Sequence, residues 1–293
     1  MVHDASPGAG EGFPEPVVVT SSGGVRLAVY DLDGEGPDVV MVHATGFCAG
    51  VWAPAAQHLG GHRVAALDVR GHGRSSVPSG GMDWQGTAQD VLAAVDALAL
   101  DRPFGVGHSM GGASLLLAEQ ARPGTFRGLW LFEPIVFPTA VVDAGSTGSN
   151  PLAAGARRRR ARFDSAEDAA ANFASKPPLS ELHPAALAAY VQHGFEHLPD
   201  GSVELRCPPE VEAETFEMGV RHRAFEHLGE VRCPVTVLRG RDDGLGPAAM
   251  APRIAAELPL GRLEEHPELG HFGPLEDPAA MAASIRSAVT AAP

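Results

Sequence analysis

The chain has 293 residues, of which 44% are hydrophobic, and this is enough for one large α/β domain with an insertion. Its 36 acidic residues outnumber its 22 basic residues and give a net charge of −14, which argues against nucleic acid or an anionic membrane surface as a partner. No apolar run is as long as a transmembrane helix, and the first residues lack the charged-then-apolar layout of a signal peptide.

The cysteines and histidines favour a reducing compartment and no metal. Cys48, Cys207 and Cys233 are odd in number and scattered, which suits the cytoplasm better than a disulfide framework. Neither they nor the 13 histidines have the spacing of metal ligands, because H-E-x-x-H and C-x-x-C are both absent. We therefore expect a cytoplasmic protein with no metal, and a homodimer is among the assembly states that the sequence allows.

The first half of the chain alternates between predicted strands and helices. Residues 1–16 contain many Gly and Pro residues and are predicted to form a flexible leader. Continuous apolar runs are typical of strands buried on both faces, and 3.6-residue spacing of apolar residues indicates helices. Strands are predicted at 17–20, 25–32, 39–42, 64–67, 104–106 and 128–132, and helices at 52–60, 84–100 and 113–121.

The alternation stops after Phe137 and resumes with the strand at 234–238. A weaker strand at 262–266 and a helix at 277–289 complete the pattern. Because strands that alternate with helices form a doubly wound, mostly parallel sheet, we predict an α/β core of residues 17–137 and 229–293. Residues 138–228 are predicted to form a helical cap. Within them, Arg157–Arg160 is interpreted as a solvated helix face, with a clamp for a substrate carboxylate as the alternative.

Gly107-His108-Ser109-Met110-Gly111 fits the G-x-S-x-G pattern of a nucleophile elbow. In such an elbow a strand turns abruptly into a helix and the serine occupies the apex. Gly107 and Gly111 stand where a Cβ would clash, so that strand and helix can approach closely. The alternative interpretation is a glycine-rich turn between strand and helix that carries no chemistry.

Several ordered motifs resemble those of the α/β-hydrolase family. They are H-x-x-G at 43–46, D-x-R-G-H-G-x-S at 68–75, G-H-S-M-G-G at 107–112, G-x-x-D-x-x-x-P at 240–247 and G-H-F-G-P-L-E-x-P at 270–278. The resemblance covers nearly the whole chain from Val17, and the predicted insertion lies where this family carries its cap. It implies a hydrolase without a cofactor that uses a serine nucleophile.

The resemblance also implies a catalytic triad in the chain order serine, acid, histidine. Ser109 is the expected nucleophile, and His271, in the loop after the last predicted strand, is the expected base. The usual family position of the acid favours Asp243. Glu133 remains open as the alternative, because its strand also ends near the elbow.

The backbone N–H groups of Met110 and Thr45 are expected to form the oxyanion hole. Ala44 replaces the glycine of the family's common His-Gly opening. His43 and His108 are expected to be structural. The expected substrate-binding residues, which supply apolar surface near the elbow, are Phe47, Trp52, Val136 and Phe137. The alternative is that most of them belong to the hydrophobic core.

These features predict an enzyme that cleaves small, partly apolar carboxylic esters or lactones through an acyl-enzyme. The same fold and triad allow C–C bond hydrolysis, perhydrolysis or acyl transfer. A ligand-binding protein that keeps the fold without turnover is the alternative from another class.

Overall fold

A computed structural model describes residues 13–140, 150–219, 221–242, 244 and 246–293. The strands in these ranges are β1 (Val17–Thr20), β2 (Arg26–Asp31), β3 (Asp38–Val42), β4 (Arg63–Leu67), β5 (Phe104–His108), β6 (Gly128–Phe132), β7 (Arg162–Phe163), β8 (Phe195–His197), β9 (Val203–Leu205), β10 (Val235–Arg239) and β11 (Gly261–Glu265). The helices are α1 (Ala53–Ala56), α2 (Trp84–Ala97), α3 (Met110–Ala121), α4 (Pro151–Arg157), α5 (Ala166–Ala174), α6 (Pro184–Gly194), α7 (Pro209–Met218), α8 (Gly246–Glu257), α9 (Gly273–Glu276) and α10 (Pro278–Ala291).

The core of the molecule is a sheet with the strand order β1-β2-β4-β3-β5-β6-β10-β11. Strands β4, β3, β5, β6, β10 and β11 run parallel, whereas β2 is antiparallel to both β1 and β4. Side chains of α2, α3 and α8 pack in the apolar core on one face, and those of α1 and α10 pack in the core on the other face. The predicted doubly wound, mostly parallel sheet is confirmed.

The insertion between β6 and β10 contains helices α4 to α7 and also a small antiparallel sheet in the order β7-β9-β8. The prediction of a helical cap at 138–228 missed these strands. They are two or three residues long, which is too short for a period-two pattern to be recognised in the sequence.

Two local expectations need correction. Residues 13–16 are not part of a flexible leader, because Phe13 packs on Tyr30 with a ring-centroid separation of 4.7 Å and Glu15 pairs with Arg74. The helix expected at 52–60 is a 3₁₀ turn at Ala49–Trp52 followed by the single turn of α1. None of the helices in the described ranges combines the length and apolar character needed to cross a bilayer.

Candidate active site

Ser109 occupies a tight turn between β5 and α3. Its backbone has φ 54° and ψ −112°, a region that costs a non-glycine residue about 1–3 kcal/mol and persists only where the surroundings enforce it. A Cβ on Gly111 would lie 2.2 Å from the carbonyl oxygen of Val42 in β3, and one on Gly107 would lie 2.7 Å from the amide nitrogen of Gly112. The two glycines therefore allow the close approach that the elbow motif predicts.

The side chain of His271 joins Ser109 to Glu133. His271 lies between β11 and α9, and its Nε2 is 3.2 Å from the Oγ of Ser109. Its Nδ1 is 2.6 Å from Oε2 of Glu133, so the imidazole donates to this carboxylate and presents an acceptor nitrogen to the hydroxyl. The three side chains thus form a continuous Ser–His–Glu chain of hydrogen bonds.

Glu133 immediately follows β6 and is 2% exposed. Its Oε1 accepts a hydrogen bond of 2.8 Å from the backbone N–H of Gly240, which follows β10. The residue has φ 44°, so its backbone, like that of Ser109, is held in the left-handed region. These constraints hold the carboxylate of Glu133 within hydrogen-bond distance of Nδ1 of His271.

Asp243, the carboxylate favoured by the sequence, lies outside the described residues. Its neighbour Asp242 is exposed and pairs with Arg239 at 2.8 Å. Of the expected catalytic side chains, the structure therefore brings together Ser109, His271 and Glu133.

The loop after β3 is held in place by buried polar contacts. His43 donates from Nδ1 to the carbonyl of Ala44 at 2.8 Å, and its Nε2 accepts from the N–H of Val69 at 3.0 Å. Burial lowers the pKa of His43 to about 4, so its imidazole is neutral at neutral pH. The next residues, Thr45 and Gly46, line the cavity beside Ser109.

His108 contacts the backbone of the candidate base, His271. Its Nε2 donates a 2.7 Å hydrogen bond to the carbonyl oxygen of His271. Burial, and then the proximity of His271, hold the pKa of His108 well below its ordinary value. These contacts are those of a neutral structural residue, as they are for His43.

Ser109 and His271 open into a cavity of about 850 Å³ between the sheet and the cap. Much of its wall is aromatic, with Phe47, Phe137, Phe173, Phe216 and Phe272 among the lining residues. Of the four residues expected to bind substrate, Phe47 and Phe137 line this cavity. Trp52 and Val136 do not line it, because they are 1% and 0% exposed and belong to the packed cores.

Polar cap residues also line the cavity, among them Tyr190 and Glu212, which the sequence did not single out. Arg159 pairs with Glu212 of α7, and its Nη2 donates to the hydroxyl of Tyr190 of α6 at 2.6 Å. The interpretation of Arg157–Arg160 as a solvated face is thus wrong for Arg159. Helix α4 ends at Arg157, so the following residues no longer follow its period, and Arg159 turns inward while Arg157 pairs with Glu210 on the surface.

In the described part of the chain, no group of three or more His, Cys, Asp or Glu side chains is arranged to hold a metal ion.

Comparison with known proteins identifies the class. The model of the alpha/beta hydrolase family matches residues 39–284, which is most of the chain. The chain therefore belongs to the α/β-hydrolase family, as its sheet order and elbow also indicate.

Two relatives and one solved structure illustrate its place in the family. The chain is 30% identical over 261 residues to a protein of Variovorax paradoxus that carries the name carbamate hydrolase RutD, covering 83% of this chain and 88% of the relative. It is 27% identical over 270 residues to 2-hydroxy-6-oxononadienedioate/2-hydroxy-6-oxononatrienedioate hydrolase 1 of Dechloromonas aromatica, covering 86% and 89%. The crystal structure of E-2-(acetamidomethylene)succinate hydrolase superposes with a TM-score of 0.80 at 22% identity, covering 96% of this chain and all of that one, and shares the fold.

Proposed function

We propose that this protein is a serine hydrolase that cleaves a small, partly apolar ester or lactone through an acyl-enzyme. The observation that supports this proposal is the hydrogen-bonded series from Ser109 through His271 to Glu133, which opens into the cavity. A serine hydroxyl is a poor nucleophile at neutral pH and needs a base within hydrogen-bond reach, and that base needs an acid to hold its tautomer.

In the proposed reaction His271 takes the proton from Ser109 as Oγ attacks the carbonyl carbon. The same imidazole, now protonated, gives this proton to the leaving group as the tetrahedral intermediate collapses to an acyl-enzyme. Water then attacks the acyl-enzyme with His271 as its base, and the serine is regenerated. Glu133 orients the imidazole and stabilises its charged form throughout.

The oxyanion of the intermediate requires preorganised donors. Met110 is the first residue of α3, where helical N–H groups have no intrahelical acceptor, and Thr45 faces the cavity from the opposite loop. We assign their backbone N–H groups to the oxyanion hole. One donor of this kind is worth about 3–4 kcal/mol of transition-state stabilisation.

The relatives support two neighbouring substrate classes. Carbamates present a carbonyl to the same nucleophile, and the protein of Variovorax paradoxus is named for them. The protein of Dechloromonas aromatica is named for an oxo-dienedioate, which favours C–C bond hydrolysis as the second candidate function. Analysis of the products formed from an ester, a carbamate and an oxo-dienedioate separates these reactions, because each releases a different leaving group.

Replacement of the nucleophile tests the proposal. Ser109→Ala should abolish turnover of 4-nitrophenyl acetate and butyrate and prevent labelling by a fluorophosphonate probe. Ser287→Ala, at an exposed position of α10, is the matched control and should retain both. Full turnover by the Ser109 variant would refute the acyl-enzyme, and a wild-type protein that neither turns over nor labels would favour a binding role without catalysis.

A further inference from the structure

The charges that line the cavity are opposite in balance to those of the whole chain. The chain has 22 basic and 36 acidic residues. Among the described residues that line the cavity, four are basic (Arg158, Arg159, Arg160 and Lys176) and one, Glu212, is acidic. Although the protein is acidic, most of the charged side chains that line this largely apolar cavity beside Ser109 are cationic. A cavity lined by one sign of charge attracts ligands of the opposite sign.

Of the four basic residues, Arg159 has the side chain that is best positioned to bind a ligand. Its side chain is 20% exposed, and that of its partner Glu212 is 8% exposed. Burial disfavours the charge of Arg159, but Tyr190 and Glu212 together raise its pKa, so it remains a cation. A guanidinium has five N–H donors, and the contacts to Glu212 and Tyr190 use two of them. These contacts hold the plane of the guanidinium, and among the described residues its other N–H groups have no hydrogen-bond acceptor.

Arg159 also lies close to the loop that faces Ser109. A Cβ on Gly46 would be 2.7 Å from Oε1 of Glu212 and 3.3 Å from Nη1 of Arg159. Gly46 directly follows Thr45, whose N–H is assigned above to the oxyanion hole. An anionic group bound by Arg159 would therefore lie beside the loop that carries Thr45, close enough for one small molecule to present both this group and the reacting carbonyl.

We propose that the substrate carries a carboxylate and that Arg159 binds it. This inference rests on the proposed hydrolysis. It narrows the expected substrate class to compounds that combine a cleavable carbonyl with a free carboxylate, such as monoesters of dicarboxylic acids and lactones with a carboxylate side group. Arg158 and Lys176 are exposed at the rim, where they attract the anion before it enters. The guanidinium of Arg160 packs on the ring of Phe163 at 4.4 Å and has a lesser role.

A pair of isosteric esters tests the proposal in the wild-type protein. The mono-4-nitrophenyl ester of adipic acid is the anionic member, and the corresponding ester of adipic acid monoamide is the neutral member. We expect kcat/KM to favour the acid by about 10- to 100-fold, the range of one hydrogen bond to a charged group. Free adipate should also inhibit hydrolysis of the neutral ester competitively, whereas adipamide should not. Equal rates for the two esters, or a preference for the amide, would overturn the proposal.

Variants assign the preference to Arg159. Arg159→Gln combined with Glu212→Gln removes both charges together, so no buried carboxylate is left unpaired, and it should abolish the preference for the acid. Arg157→Gln is the matched control, because Arg157 belongs to the same run but pairs with Glu210 and Glu217 on the surface, and it should keep the preference. A preference that survives in the double variant would show that Arg159 is not the receptor.

Calorimetry separates this inference from the proposed hydrolysis. Ser109→Ala should bind adipate more tightly than adipamide, and the difference should vanish when the Arg159 and Glu212 changes are added. If no ester is turned over but this binding is seen, the hydrolytic function fails and the carboxylate site stands. If esters are turned over and adipate does not bind, the carboxylate site fails alone.

Discussion

Ser109 and Glu133, two residues at the centre of the candidate site, both have strained backbones. His108 of β5 is in register with Phe132 of β6, so Ser109 and Glu133 leave the sheet side by side. Both have positive φ, and both are tied by their N–H groups to the next strand, Ser109 to Phe132 and Glu133 to Leu238. Because these anchors are the ends of buried strands, the strain is held by the rigid sheet rather than by loops.

The carboxylate assignment predicts opposite results for two isosteric substitutions. Glu133→Gln should lower kcat by about 10³- to 10⁴-fold, because an amide can hold the imidazole in the wrong tautomer and cannot stabilise its charge. Asp243→Asn should leave kcat close to the wild-type value. Steady-state kinetics on 4-nitrophenyl butyrate measures both, with circular dichroism as the check on folding. A large loss in the Asp243 variant with little change in the Glu133 variant would reverse the assignment.

At the scale of elements, the junction of β3, β5 and α3 determines where Ser109 lies. Helix α3 begins directly after Ser109, and the elbow places Gly111 against the backbone of β3. The contact is with a backbone carbonyl, which cannot rotate away as a side chain can. The spacing of strand and helix is therefore set by the absence of a side chain at this position.

Gly111→Ala should destabilise the protein and reduce activity together. The added methyl group would lie 2.2 Å from the Val42 carbonyl oxygen, and overpacking of this kind costs about 1–3 kcal/mol or more. Gly229→Ala is the control, because a Cβ there meets no atom within 4 Å and its φ is not in the left-handed region. Urea unfolding measures both variants. A Gly111→Ala protein with unchanged stability and kcat would show that strand and helix can separate without cost.

At the scale of the whole molecule, buried neutral histidines link folding to pH. Burial lowers the pKa of His43 to about 4, and burial together with His43 lowers that of His72 to about 3, against an ordinary value of 6.5. At a pH between the folded and the ordinary pKa, each of these histidines is protonated in the unfolded chain and neutral in the folded chain. The contribution of these two histidines to stability is therefore complete above about pH 6.5 and falls as the pH decreases.

We expect the free energy of unfolding to fall between pH 7.5 and 5. Below pH 6.5 each such histidine contributes a loss of about 1.4 kcal/mol per pH unit. Urea unfolding at a series of pH values measures the slope. His72→Asn, which keeps a donor for the carbonyl of Arg70, should reduce the slope, and His58→Asn, at an exposed position, should not. A wild-type stability that does not change over this range would contradict the burial of these imidazoles.

The sequence by itself determined the class of fold and the ends of the strands on which the site is built. Alternating apolar runs and helical spacing report local backbone preference and burial, and the G-x-S-x-G pattern reports a turn that only small neighbours allow. These signals are local, so they survive without knowledge of the tertiary structure. They placed Ser109 at the end of a strand, and the resemblance of the ordered motifs to the α/β-hydrolase family pointed to His271. The structure places Nε2 of His271 3.2 Å from Oγ of Ser109.

Only the tertiary structure decided which side chains meet across that edge. The contact of Glu133 with His271, the inward turn of Arg159 and the burial of Trp52 and Val136 all depend on how distant elements pack. A carboxylate, an arginine or an aromatic ring has the same local pattern whether it faces a cavity, the core or solvent. The packing of the cap on the sheet, which involves residues far apart in the chain, selects among these environments.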